Sequence, residues 1–238
     1  MKKLILIVTI LLMGQNFANA HTCKNETVKC PIDGKDVTFC VTMSMTTFGS
    51  FKDFQKQGAI GEHYEELINI CSKCHFSGYI DDFRAKFSEE EKIKIKEYLI
   101  KFDNTKIDDA KQCLIAGEIK ELQKKSNKEI AFCYVTGSYL LRNNDKQVEF
   151  RKELQSKAKD NLISALNKNE YEDKSVIANI NYLIAEMERR IGNFDEAIKY
   201  YDLAINDSNK KDWVEEVAKE QKELAMKKDE NNKKILGN

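Results

Sequence analysis

Hydrophobic and polar positions change rhythm near residue 88. Before it, β-branched and aromatic residues come in short runs, broken by glycines and by the only proline, Pro31. The stretch TVKCPIDGKDVTFC, residues 27–40, reads as strand, tight turn, strand. HYEELINIC, residues 63–71, reads as a third strand or, from its acidic pair, a short helix. Between them MSMTTFGSFKDFQKQGAIGE, residues 43–62, has no clear period and reads as loop.

From Ser88 onward the period is helical. SEEE places Ser88 at an N-cap with Glu91 at the third helical position, and Ile93, Ile95, Tyr98, Leu99 and Phe102 then form an apolar side. Further helices are expected near 106–123, 128–142, 146–167, 174–191, 194–207 and 211–228, none interrupted by proline. In NYLIAEMERRIGNFDEAIKYYDLAI, residues 181–205, Gly192, Phe194, Ala197, Tyr201 and Ala204 stand at tetratricopeptide spacing, where small residues let two antiparallel helices approach closely. The motif lacks the usual aromatic early in its first helix and the closing proline. LISALNK, residues 162–168, resembles the end of a preceding unit, and Trp213, Val214, Val217, Ala218 and Leu224 would cap the stack. In such a hairpin the first helix lines a concave face. That places Asn179, Tyr182, Glu186, Arg189 and Arg190 in a groove suited to an extended peptide or a carboxylate.

The first twenty residues change the compartment. Lys2 and Lys3 precede an apolar run of ten residues, Leu4–Met13, broken only by Thr9, and Ala18-Asn19-Ala20 is a small-residue cleavage site, so residues 1–20 read as a secretory signal peptide. Cleavage would leave 218 residues with a net charge of −2, in the periplasm or outside the cell. The lysines are scattered among acids, which speaks against nucleic acid and anionic membranes as partners, and no second apolar run predicts a membrane span.

An oxidising compartment makes the seven cysteines informative. An odd number cannot pair completely. About the turn at PIDG, Cys23 and Cys40 fall on opposing strands near one level. Cys113 and Cys133 stand equally far from the turn near residue 123, on the apolar sides of adjacent helices. Both pairs are disulfide candidates, the second with two buried free thiols as its alternative.

CPIDGK (30–35), CSKCHFSGYIDDF (71–83), YVTGSYLL (134–141) and LIAEMERRIGNFDEAIKYY (183–201) resemble an uncharacterised bacterial family, domain of unknown function 2225. The resemblance covers most of the mature chain. It implies a zinc-ribbon-like N-terminus followed by tetratricopeptide-like helices, and it carries no established activity. Asp33 stands where the family's first knuckle has its second cysteine, and His75 where the second knuckle has a glycine.

Three chemistries compete for CSKCH. Cys71-x-x-Cys74-His75 attaches a c-type haem, but from Phe76 through Glu186 there is neither Met nor His to serve as distal ligand. A redox dithiol suggests a βαβ frame, and no strand–helix alternation follows the motif. A metal site draws on two Cys-x-x-(Cys/Asp) turns, with Cys30, Asp33, Cys71 and Cys74 as ligands and His75 as an alternative to Asp33. If the two disulfides form, the three cysteines left over are those this site needs. A plain disulfide between Cys71 and Cys74 remains the further alternative.

Catalytic patterns are weak. His63-Tyr-Glu-Glu66 is not a His-Glu-x-x-His motif, there is no Gly-x-Ser-x-Gly, and a mature N-terminal His21 would need His63 or His75 to complete a copper brace. The expected architecture is mainly α with a small β segment: a signal peptide over 1–20, a zinc-ribbon-like hairpin segment over 21–87, and antiparallel tetratricopeptide-like hairpins over 88–238. The expected function is a noncatalytic scaffold binding another protein or peptide, with structural zinc. The rival is a periplasmic haem c electron-transfer protein.

Overall fold

The computed structural model describes residues 21–58 and 63–231, so the expected signal peptide over 1–20 lies outside the described residues. Strands β1 (His21–Lys29) and β2 (Asp36–Met45) pair antiparallel about the loop at 30–35. A register shift at Thr22/Cys23 sets Cys23 opposite Thr42 and Cys40 opposite Asn25. The two cysteines are thus diagonal neighbours, and they form a disulfide with their Cα atoms 5.2 Å apart.

Residues 43–62 are not simply loop. β2 runs on to Met45, and β3 (Thr47–Ser50) pairs with β4 (Lys56–Gly58). The hairpin turns at Phe51–Gln55, where the Phe51 N–H donates to the Gln55 carbonyl at 2.7 Å and Phe54 adopts φ +69°. Its stability comes from contacts with the helices, described below, which is why no local period announces it. HYEELINIC yields only a two-residue strand, β5 (Asn69–Ile70), paired with β6 (Ser77–Gly78).

Eight helices follow among the described residues: α1 (Ile80–Arg84), α2 (Glu89–Leu99), α3 (Asp109–Leu122), α4 (Asn127–Leu140), α5 (Val148–Asn167), α6 (Ile177–Ile191), α7 (Phe194–Asn206) and α8 (Asp212–Met226). The Ser88/Glu91 capping box starts α2 as expected. Asp108 and Ser126 cap α3 and α4 through the Lys111 and Glu129 amides. From α3 to α8 each helix packs on the next, and the molecule is mainly α with a small β segment. None of these helices is long and apolar enough to cross a membrane.

The hydrophobic core runs across the change of rhythm at residue 88. Phe39, Phe76 and Phe83 pack edge to face, with ring centroids 5.1 and 4.9 Å apart, beneath Ile95, Leu99 and Ile115. A second cluster joins α3 to α6 through Tyr134, Leu154, Leu162 and Ile184, and a third joins α6, α7 and α8 through Ala185, Ala197, Tyr201 and Ala218. Gly117 in α3 is required by close approach, since a Cβ there would lie 2.3 Å from the Tyr134 ring.

Cys113 and Cys133 are not bridged; both are buried free thiols. Cys113 packs over Gly137, one helical turn along α4 from Cys133, and the two sit with Ile68 and Ala116 as small apolar side chains. Burial raises the Cys113 thiol far above its ordinary range and pushes Cys133 up to about 12.

Candidate metal centre

Two loops of matching shape face each other. In the first, the Cys30 N–H donates to the Lys35 carbonyl at 2.8 Å and the Gly34 N–H returns to the Cys30 carbonyl at 2.9 Å. In the second, the Cys71 N–H donates to Phe76 at 2.8 Å and the His75 N–H returns to Cys71 at 2.9 Å. The last residue of each turn is left-handed, Gly34 at φ +75° and His75 at φ +63°. Glycine takes that conformation freely, and histidine is among the few side chains that visit it.

The turns bring one ligand atom each from Cys30, Asp33, Cys71 and Cys74 within 4.8 Å of one another, an arrangement able to hold a metal ion. The Cys30 and Cys74 sulfurs are 3.5 Å apart, far beyond a disulfide. The Cys71 sulfur lies 3.5 Å from both Asp33 oxygens. Around a tetrahedral cation with ordinary metal–sulfur and metal–oxygen bonds, the corresponding edges are about 3.8 Å and about 3.5 Å. His75 is not a member of this group. Its backbone supplies the left-handed turn instead. Cys23 and Cys40 also lie near Glu66, but their sulfurs are taken by the disulfide.

The electrostatics suit ligands. The hydrogen bond from Cys74 lowers the Cys30 thiol to about 7, against burial. The same bond and burial raise Cys74, and burial raises Cys71. Burial alone would raise Asp33, but the Lys35 amide and the surrounding thiols hold its carboxyl below the usual range. Behind the second knuckle the Tyr79 N–H bonds Asp82 at 2.8 Å, and Asp82 pairs at 2.5 Å with Lys120 on α3, tying the loop to the helices.

The expected peptide groove is corrected by the structure. Tyr182, Glu186, Arg189 and Arg190 are buried, and Asn179 is half-buried. The chain itself covers this face of α6. Asp53 enters from the β3–β4 turn and is held by both Arg142 and Arg190, while Arg190 and Arg189 pair with Glu186 at 3.0 and 3.1 Å. The Phe54 ring packs tilted against Tyr182, with centroids 5.2 Å apart, and Arg189 donates to the carbonyls of Asp229 and Asn231 at 2.6 and 2.9 Å. The carboxylate and carbonyls that these residues were expected to take from a partner come from within the chain. Asp53, Gln55 and Arg142 escaped the sequence reading. The one signal for Asp53 was an acid bracketed by Phe51 and Phe54.

The family described as "Uncharacterized protein conserved in bacteria (DUF2225)" matches residues 24–225. The chain belongs to the DUF2225 family. The match spans both cysteine turns and the described helices as far as Ala225, so it takes in the donor cluster together with the helical array. No curated protein and no solved structure matches the chain.

Proposed function

We propose that this DUF2225 chain is an exported, noncatalytic protein-interaction module whose N-terminal segment is held by one structural zinc ion. The observation that carries the reading is the convergence of Cys30, Asp33, Cys71 and Cys74 from two matched turns. Three thiols and a carboxylate suit zinc, and a site with all four positions filled by protein leaves no place for a reacting water. The thiols of Cys71 and Cys74 turn toward a third thiol and an acid, surroundings suited to a compact cation and ill suited to an apolar macrocycle. Export is supported by the leader pattern of residues 1–20 and by the Cys23–Cys40 disulfide. The interaction role is supported by stacked antiparallel helices, with α6 and α7 read as a tetratricopeptide-like pair around the turn at Gly192.

The test is elemental analysis and a visible spectrum of protein purified from its own envelope, together with capture of bound proteins. One zinc per chain is expected, lost in Cys71→Ala, along with a retained protein partner. A Soret band without zinc would overturn the metal reading. The absence of any partner would overturn the interaction reading.

A further inference from the structure

Two open clefts adjoin the Asp53 cluster on its solvent side. One, about 830 Å³, is lined by Gln55, Lys56, Tyr139, Arg142 and Lys146 among others. The second, about 620 Å³, includes Arg142, Arg151, Lys152 and Arg190. Arg142, Asn143 and Asp145 belong to both, so Arg142 forms the ridge between them.

Charge is unevenly spread here. Six cations line the pair of clefts against two acids, Asp145 and Glu230, on a chain whose formal net charge is zero. Asp53 behind the wall occupies Arg142 and Arg190, and Glu230 occupies Lys152 at 2.7 Å. Lys56, Lys146 and Arg151 form no ion pair with any described carboxylate. Arg151 instead spends one nitrogen on the carbonyls of Leu141 and Arg142, at 3.1 and 3.0 Å. Arg142 is 8% exposed, and its Nη1 has no hydrogen-bond partner among the described residues. Burial and the nearby charge of Arg190 push the Arg151 guanidinium down, against the opposing pull of Asp145.

The wall also shows what chemistry it accepts. The β3–β4 turn of this chain already presents a carboxylate, Asp53, to Arg142 and Arg190. Two residues on, the Gln55 amide bonds both Arg142 and the Tyr139 carbonyl, the latter at 3.2 Å. An acidic segment lying along the two clefts outside that turn would meet Lys56, Lys146 and Arg151 with its carboxylates and the Asn143 amide with its backbone.

We infer that the two clefts form one docking site for an acidic, extended peptide segment of a partner protein. The inference deepens the interaction role proposed above and rests on it.

The full-length, metal-loaded chain is titrated into a short fluorescein-labelled peptide of alternating glutamate and serine, read by anisotropy. Saturable binding is expected, falling as salt rises. Lys146→Glu with Arg151→Glu should weaken it roughly tenfold or more. Lys56→Glu with Lys146→Glu, both exposed residues, should do the same without touching the Arg151 anchor. Lys86→Glu with Lys96→Glu, exposed and lining neither cleft, should leave it unchanged. Melting curves confirm that each variant is folded.

No saturable binding, or equal weakening by the control pair, overturns the proposal. Competition by inorganic phosphate as potent as the unlabelled peptide overturns it in favour of a small-anion site. If the partner captured from the envelope still binds the cleft variants, the interaction role stands and this docking site falls.

Discussion

Around residues 30–76 three thiols and a carboxylate converge, whereas around residues 51–55 an aspartate slides between two arginines. The first joins two loops of the N-terminal segment to each other, and the second fastens that segment to the helices. In the first, every group is an electron-pair donor, so the groups have little to offer one another and much to offer a cation. In the second, acids and arginines complete each other. Burial would push Asp53 up, but Arg190 and Arg142 hold it below the usual carboxylate range. The contrast teaches how to sort buried polar clusters. Convergence of one kind of donor points outward, to a ligand, while convergence of opposite charges points inward, to the fold.

That sorting is sharpest if one cluster can be broken with the other intact. Arg190→Ala leaves Asp53 and Glu186 buried with one cation fewer, and should lower stability by about 3–5 kcal/mol in urea denaturation. Zinc content should match the parent. Joint loss of zinc and stability would show that the two fastenings act as one.

Acid separates them more gently. A depressed carboxyl protonates in the unfolded chain first, so the stability that Asp53 contributes is complete above about pH 4 and is lost as pH falls through its lower folded value. If the proposed zinc is bound, its thiolate ligands would have to be reprotonated for release, which is expected at higher pH. Two steps are therefore expected on acidification, metal release and then loss of helical signal. In Asp53→Asn, less stable at neutral pH, the second step should become shallower. A single merged step in the parent would erase the distinction.

The smallest effect concerns the second knuckle. His75→Gly relieves a left-handed histidine and should stabilise by about 0.5–1 kcal/mol with zinc retained. Loss of zinc in that variant would make His75 a ligand.

Much of this was legible in the sequence because it is local. The Ser88 cap, the hairpin about PIDG and the helix ends are written within a few residues of where they act. The donor set was legible from cysteine spacing, because each turn carries its own half. The burial of α6 was not. Glu186, Arg189 and Arg190 follow a period that reads as a solvent face, and their partner Asp53 lies 137 residues from Arg190. An argument from one helix assumes one covered side, while α6 is covered by its neighbours, by the β3–β4 turn and by residues 229–231. The Cys113–Cys133 expectation failed for a related reason: equal distance from a turn fixes height along two helices and leaves their rotation open.

Gly117 bears on how the array assembles. A glycine inside a helix weakens it by about 1 kcal/mol relative to alanine. Tyr134 fills the space that this glycine leaves and donates to Glu121 one turn farther along α3, at 2.7 Å. The residue that makes α3 a poor helix alone is thus the one that lets α4 come close. Helix formation and docking are coupled at this point. Neither helix gains much by forming early, so the pair should appear together, and amide protons of α3 and α4 should exchange with a common opening energy.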